Sequence, residues 1–157
     1  MEDTIVAIAT PTGQGAVSLI RISGNESTQV ANKVFKCNKL DWLSVPRTQY
    51  FGGIYNSKDE KVDSVLTTFF KGPNSYTGED SFEVYAHGSL GVMSALVKAF
   101  EGVGFEEAAG GEFTKRAFLN NKISLNEAES VADLIDAVDE KRLGWLADRC
   151  LVNFLRI

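Results

Sequence analysis

The chain is poor in the residues that most often announce a chemistry. Cysteine occurs twice, at Cys37 and Cys150, with no CxxC pair, so neither a zinc site nor a disulfide framework is expected. Isolated thiols of this kind usually pack as small core residues. Histidine occurs once, at His87, where it precedes a glycine at the end of an alternating run and reads as a hydrogen-bonded structural residue rather than an acid–base catalyst. No serine or cysteine nucleophile stands out beside it. Long apolar runs are absent: Val65–Leu66 followed by Phe69 and Phe70, or Ala95 to Val97, fall far short of a membrane span. Positive charge is in deficit, 16 Lys plus Arg against 21 Asp plus Glu, for a net charge of −5. Such a surface repels a nucleic-acid backbone, so any such contact needs a local basic patch or a further domain. The opening MEDTIVAIAT carries two acids and no basic stretch ahead of an apolar core, so no export signal is read and a cytoplasmic protein is expected.

What is present is a globular composition, 157 residues with 44% hydrophobic and 24% charged side chains, long enough to bury a core. Thr4 to Ala9 and Ala16 to Ile22 read as two strands joined across PTGQG at 11–15, a glycine pair that is most simply a turn. In the second strand Val17, Leu19 and Arg21 share one face by the two-residue period, which sets Arg21 among apolar neighbours and requires a polar or anionic partner for it. Glu26 to Phe35 has helical spacing, Tyr50–Tyr55 and Val62–Phe70 look like strands, and SKDE at 57–60 supplies the turn between them. After the loop GPNSYTGED at 72–80, Phe82, Val84 and Ala86 alternate with Glu83, Tyr85 and His87, as in a half-buried strand. Leu90, Met93, Leu96, Val97 and Phe100 then recur at helical spacing until Gly102 and Gly104. SLNE at 124–127 is a capping box, with Ser124 as N-cap and Glu127 three positions on, and it opens a helix striped by Leu125, Ala128, Val131, Leu134, Ile135 and Val138.

Three stretches together resemble the MnmE (TrmE) family of tRNA-modification GTPases: DTIVAIATPTGQGAVSLIRISG at 3–24, GPNSYTGEDSFEVYAHGS at 72–89, and GGEFTKRAFLNNKISLNEAESVADLIDA at 110–137. They fall in the family's order and at about its spacing. The resemblance implies an α/β (α+β) fold, a mixed β-sheet with packed helices related to tetrahydrofolate-binding domains, over residues 1–121. It implies the start of a helical domain over 122–157, truncated ahead of the GTPase domain. It further implies a homodimer that binds 5-formyl-tetrahydrofolate near its interface. With an FAD-containing partner of the MnmG type, the full-length family modifies the wobble uridine of tRNA, and no membrane is involved.

Matched position by position, the family's folate contacts fall on Arg21, Glu83 and Lys122, expected to converge around one pterin-sized cavity. A carboxylate accepts the amino group and ring N–H of a pterin together, which suits Glu83, while Arg21 and Lys122 can serve carbonyl, formyl or carboxylate oxygens. Taken singly, each has a plainer reading: Arg21 as an edge-strand salt bridge, Glu83 as a solvent-facing strand residue, Lys122 as a solvated loop lysine. Only their joint placement in the three blocks singles them out.

Two departures and one decoy accompany the resemblance. Gly110 stands where the family usually has proline, which loosens the loop feeding Lys122 and is expected to reduce folate affinity. Beyond residue 140, WLADRCLVNFLRI matches the family's helical domain poorly. NKLD at 38–41 imitates the guanine-reading motif of GTPases, but no GxxxxGK[ST] string is present. GTP, magnesium and potassium are therefore assigned to the missing GTPase domain, and this chain is expected neither to bind nor to hydrolyse GTP alone. Two other functions fit the same residues: a free-standing folate-dependent one-carbon transferase resembling aminomethyltransferases, and a pure dimerisation or interaction module.

Overall fold

A computed structural model of the chain describes residues 3–11, 13–38 and 42–135. Its frame is a seven-stranded mixed sheet. In chain order the elements are β1 (Ile5–Ile8), β2 (Val17–Ser23), α1 (Ser27–Val34), β3 (Phe35–Cys37), a 3-10 turn (Trp42–Ser44), β4 (Gln49–Tyr55), β5 (Lys61–Phe70), β6 (Ser81–His87), α2 (Leu90–Glu101), β7 (Glu106–Glu107), α3 (Glu112–Leu119) and α4 (Leu125–Ile135). Across the sheet the strands run β3-β4-β5-β6-β2-β1-β7; β1 and β7 are parallel and the other neighbours antiparallel.

The sheet is two-faced because its strands alternate. In β2, Ser18, Ile20 and Ile22 are buried while Val17, Leu19 and Arg21 point to the other side. In β6, Phe82, Val84 and Ala86 are buried opposite Glu83, Tyr85 and His87. The inner face packs on α2, which contributes Met93, Leu96, Ala99 and Phe100, and on Ala31 and Val34 of α1. Phe69 and Phe82 stack across β5 and β6 with ring centroids 4.9 Å apart. Each such side chain taken from water contributes about 1.5–3 kcal/mol, so this single layer of contacts holds helices and sheet together.

Several local signals act as their chemistry dictates. The turn at 57–60 closes through Asn56, whose Oδ1 accepts the backbone N–H groups of Lys58 and Glu60. The capping box forms: Ser124 Oγ accepts from Glu127 N at 3.3 Å, and Glu127 accepts from Ser124 N at 2.6 Å. Its carboxyl is held below the usual range by that backbone N–H. The PTGQG loop is tied down by Gly15 N donating to Gly88 O at 3.0 Å. A Cβ on Gly88 would sit 2.5 Å from Gly15 O, so only glycine fits there.

Other elements depart from expectation. The helix expected through residue 35 stops at Val34, because Phe35 turns extended and begins the short strand β3. Strands β3 and β7 and helix α3 have no counterpart in the periodicity reading. The helix opened by the capping box forms as α4, and its stripe is partly covered: Ala128, Val131 and Leu134 are half-buried while Leu125 is 55% and Ile135 78% exposed, and Ser130 is the buried residue of that helix. Cys37 is half-buried against the core. Val138, Cys150, the stretch after residue 140 and most of NKLD lie outside the described residues. Among the described residues no helix is long and apolar enough to cross a membrane.

Candidate functional site

The register of β2 against β6 decides the site. Arg21 and Glu83, 62 residues apart in sequence, are direct cross-strand partners on the outer face. Arg21 Nη2 donates to Glu83 Oε1 at 2.7 Å and Nε to the same oxygen at 3.2 Å. The partner that Arg21 required is therefore Glu83. The second carboxylate oxygen accepts from Tyr85 Oη at 2.9 Å. Burial first, and the neighbouring Glu83 carboxylate second, push the Tyr85 phenol above its ordinary range. The pair is half-buried, with side-chain exposures of 20% and 15%, and the Arg21 guanidinium lies 5.4 Å from the centre of the Tyr76 ring.

Tyr76 belongs to the 72–80 loop, which roofs this end of the sheet and contains the cis Gly72–Pro73 bond. Lys122 reaches the same loop from the turn between α3 and α4, donating from Nζ to Pro73 O at 2.8 Å. Its aliphatic stem packs on Gly78, whose φ of +83° and whose missing Cβ, which would meet Lys122 Cγ at 3.2 Å, both call for glycine. The structure thus joins Arg21 and Glu83 directly and links Lys122 to them through the loop. The cavity lined by Arg21 and Glu83, with Phe70, Tyr76, Thr77 and Ser81, measures about 20 Å³ and does not include Lys122. That is room for about one water rather than for a pterin. In donor and acceptor chemistry the residues fit a folate; in space, a single chain with the loop in this position does not.

A second polar cluster, not singled out by sequence reasoning, holds the loop. Arg116 of α3, buried to 6% side-chain exposure, donates from Nη1 to both oxygens of Glu79 at 3.3 Å and from Nη2 to Glu112 Oε1 at 3.0 Å. Ser23 Oγ donates to Glu79 Oε2 at 2.7 Å and shares a 2.6 Å hydrogen bond with Thr77 Oγ1. Asn120 Nδ2 donates to Thr77 O at 2.7 Å. The Glu112 carboxyl is held low first by the Ala109 N–H and then by Arg116. Burial opposes the charge on Arg116, yet its two acids hold its pKa above the ordinary value. The usable signal was positional: these residues all sit inside the three family-like blocks.

His87 is placed apart from this loop, at the far end of β6. Its Nδ1 lies 2.8 Å from Asp63 Oδ1 and its backbone N–H donates to Asp63 Oδ2 at 2.9 Å, while its ring is 70% exposed. Burial opposes the Asp63 charge, but these bonds outweigh it and lower the carboxyl. The outer face around His87 is apolar and open: Phe51 is 70%, Val17 60% and Leu66 40% exposed. With Tyr85 and His87 they line a cleft of about 640 Å³.

Known proteins share much of this sequence. Residues 4–122 match the family model described as GTP-binding protein TrmE N-terminus. A tRNA modification GTPase MnmE of Fervidobacterium nodosum is 42% identical over 147 residues, covering 93% of this chain and 32% of that protein. Proteins of the same name from Flavobacterium johnsoniae and Francisella philomiragia are 45% and 46% identical, each covering 88% of this chain and 30% of their own length. The chain spans about a third of the length of these curated relatives. Since the family match takes in well over half of the residues, and includes Arg21, Glu83, Lys122 and the Arg116 cluster, the chain belongs to the TrmE N-terminal family of the tRNA-modification GTPases.

Proposed function

We propose that this chain is the folate-binding, homodimerising part of a cytoplasmic tRNA-modifying GTPase. In this reading Glu83 accepts the pterin's paired N–H groups, and Arg21 and Lys122 hold carbonyl, formyl or carboxylate oxygens of the folate. The observation that carries it is the Arg21–Glu83 pair, set half-buried under a loop that Lys122 also grips. Bound 5-formyl-tetrahydrofolate would supply or mark a one-carbon unit. The chain's own residues bind it, orient it and exclude water from it.

The cavity of about 20 Å³ is then completed by displacement of the 72–80 loop or by a second copy seated on the open sheet face. Exposed Val17, Phe51 and Leu66 give that face the apolar character of an interface core. GTP hydrolysis, with its magnesium and potassium, belongs to the remainder of the full-length relatives, as do the FAD-containing MnmG-type partner and the tRNA.

Calorimetry with 5-formyl-tetrahydrofolate on a folded, dimeric sample tests the ligand; no heat at high micromolar protein removes it. Sedimentation tests the face: Phe51→Glu with Leu66→Glu should shift the chain to monomer. The smallness of the cavity favours one second reading, a dimerisation module without a ligand. In that case the chain dimerises without taking up folate, and Glu83→Ala leaves the monomer–dimer equilibrium unchanged.

A further inference from the structure

The 72–80 loop turns its own acids inward. Glu79 is 7% exposed and bound to Arg116, and Asp80, 18% exposed, accepts the N–H of Gly72 at 2.8 Å. Its outward side carries cations instead. Arg47 donates from Nη2 to Asn74 O at 3.0 Å, and Lys122 donates to Pro73 O at 2.8 Å, so two cations rest on consecutive carbonyls of one loop. Lys71, at the foot of the loop, is 64% exposed and only 3.7 Å from Asp80, a contact too long for a hydrogen bond. Arg47 is exposed and, among the described residues, meets no carboxylate; its other neighbour is the Phe70 ring at 6.0 Å. In a chain with a net charge of −5, a group of three cations around one loop is a local inversion of sign.

This rim is continuous with the Arg21–Glu83 pair through the loop itself. Tyr76 touches Arg21, and Pro73, three residues earlier, touches Lys122, a span of at most about 10 Å of chain. A folate anchored by its pterin at Glu83 is long enough to carry its glutamate past that point. We infer, resting on the folate reading above, that Arg47, Lys71 and Lys122 bind the carboxylates of the folate tail, and that the site is built for folates carrying an oligo-γ-glutamate chain. Each added γ-glutamyl unit brings one more carboxylate to a rim with several donors, and the arginine can take one of them with two parallel bonds. An RNA backbone is the less suitable anion, because the patch is only three cations wide.

The test is calorimetry on the chain with 5-formyl-tetrahydrofolate as the monoglutamate and as the pentaglutamate. The pentaglutamate should bind about three- to tenfold tighter at low ionic strength, each exposed ion pair contributing a factor of about 1.5 to 5. That premium should shrink toward unity near 1 M salt, where the screening length is about 3 Å. In the Arg47→Gln, Lys71→Gln double variant the ratio of the two affinities should fall to about one. If these residues only brace the loop, both affinities drop together and the ratio persists, which overturns the proposal. Equal affinities in the unaltered chain overturn it too and leave the folate reading standing. No binding of either form removes the folate reading and this inference with it. Displacement of the pentaglutamate by a short RNA oligonucleotide of equal charge would reassign the rim to phosphodiesters.

Discussion

Two arginine–glutamate pairs lie at either side of the same loop, and their settings differ. Arg116–Glu79 is sealed, at 6% and 7% side-chain exposure, and its remaining polar atoms are taken up by Ser23, Glu112 and a shared network with Thr77. Arg21–Glu83 is at 20% and 15%, borders an uncovered apolar sheet face, and has Tyr85 as its hydrogen-bonding neighbour. The same chemistry therefore does two jobs. A pair buried on all sides holds the loop in place, whereas a pair at the edge of an open surface, its oxygens held only by Arg21 and Tyr85, is the one proposed to meet a ligand.

The sharpest way to break this contrast is to remove the sealed arginine. Arg116→Leu strands the buried Glu79 and takes the cation from the partly exposed Glu112, and uncompensated buried charge costs about 3–5 kcal/mol. The urea midpoint should fall accordingly, and a loss below about 1 kcal/mol would mean that the loop is not held by this cluster. Next in size is the open pair. Glu83→Ala should weaken folate binding by about 1–3 kcal/mol through an unpaired polar contact, while costing the fold much less than Arg116→Leu does. If the order of the two stability losses is reversed, the division of labour between the pairs is wrong.

How much of this could be read from residues alone follows the same division. The alternation in β2 and β6 placed Arg21 and Glu83 on outward faces, and it correctly demanded a partner for Arg21. Their pairing is a matter of register between strands 62 residues apart, which no local period encodes. The sealed pair was invisible for a different reason. Glu79 sits in a polar, turn-like string and Arg116 in TKR, so both look solvated, and α3 was missed because its buried side is Arg116 and Ala117 rather than an apolar stripe. Strands β3 and β7, three and two residues long, are too short to show a period. In α4 the stripe was legible but the extent of its burial was not, since Leu125 and Ile135 at its two ends stay 55% and 78% exposed.

Acid sharpens the comparison through Glu112, whose carboxyl is held low by the Ala109 N–H and Arg116. A carboxyl depressed in the folded state contributes stability that is fully present above its unfolded value and is lost as pH falls through the folded one. The chain should thus be more stable than Glu112→Gln at neutral pH, by less than the Arg116→Leu penalty, and the gap should close on acidification. A gap that stays constant down to strongly acid pH would show that Glu112 is not charged in the sealed cluster.

The smallest effect expected is at Gly110, inside the clasp where Glu112 N donates to Ala109 O and Ala109 N donates to Glu112. A Cβ there meets nothing within 4 Å, and its φ is not among the positive ones. Proline at such a position lowers the entropy of the unfolded chain, so Gly110→Pro should raise stability by about 0.4–1 kcal/mol. If the loosened approach to α3 also weakens the grip of Lys122 on the loop, the variant should tighten folate binding as well. A stability gain with unchanged folate affinity would confine Gly110 to the sealed side of the loop, and a stability loss would show that the clasp needs a backbone angle proline cannot take.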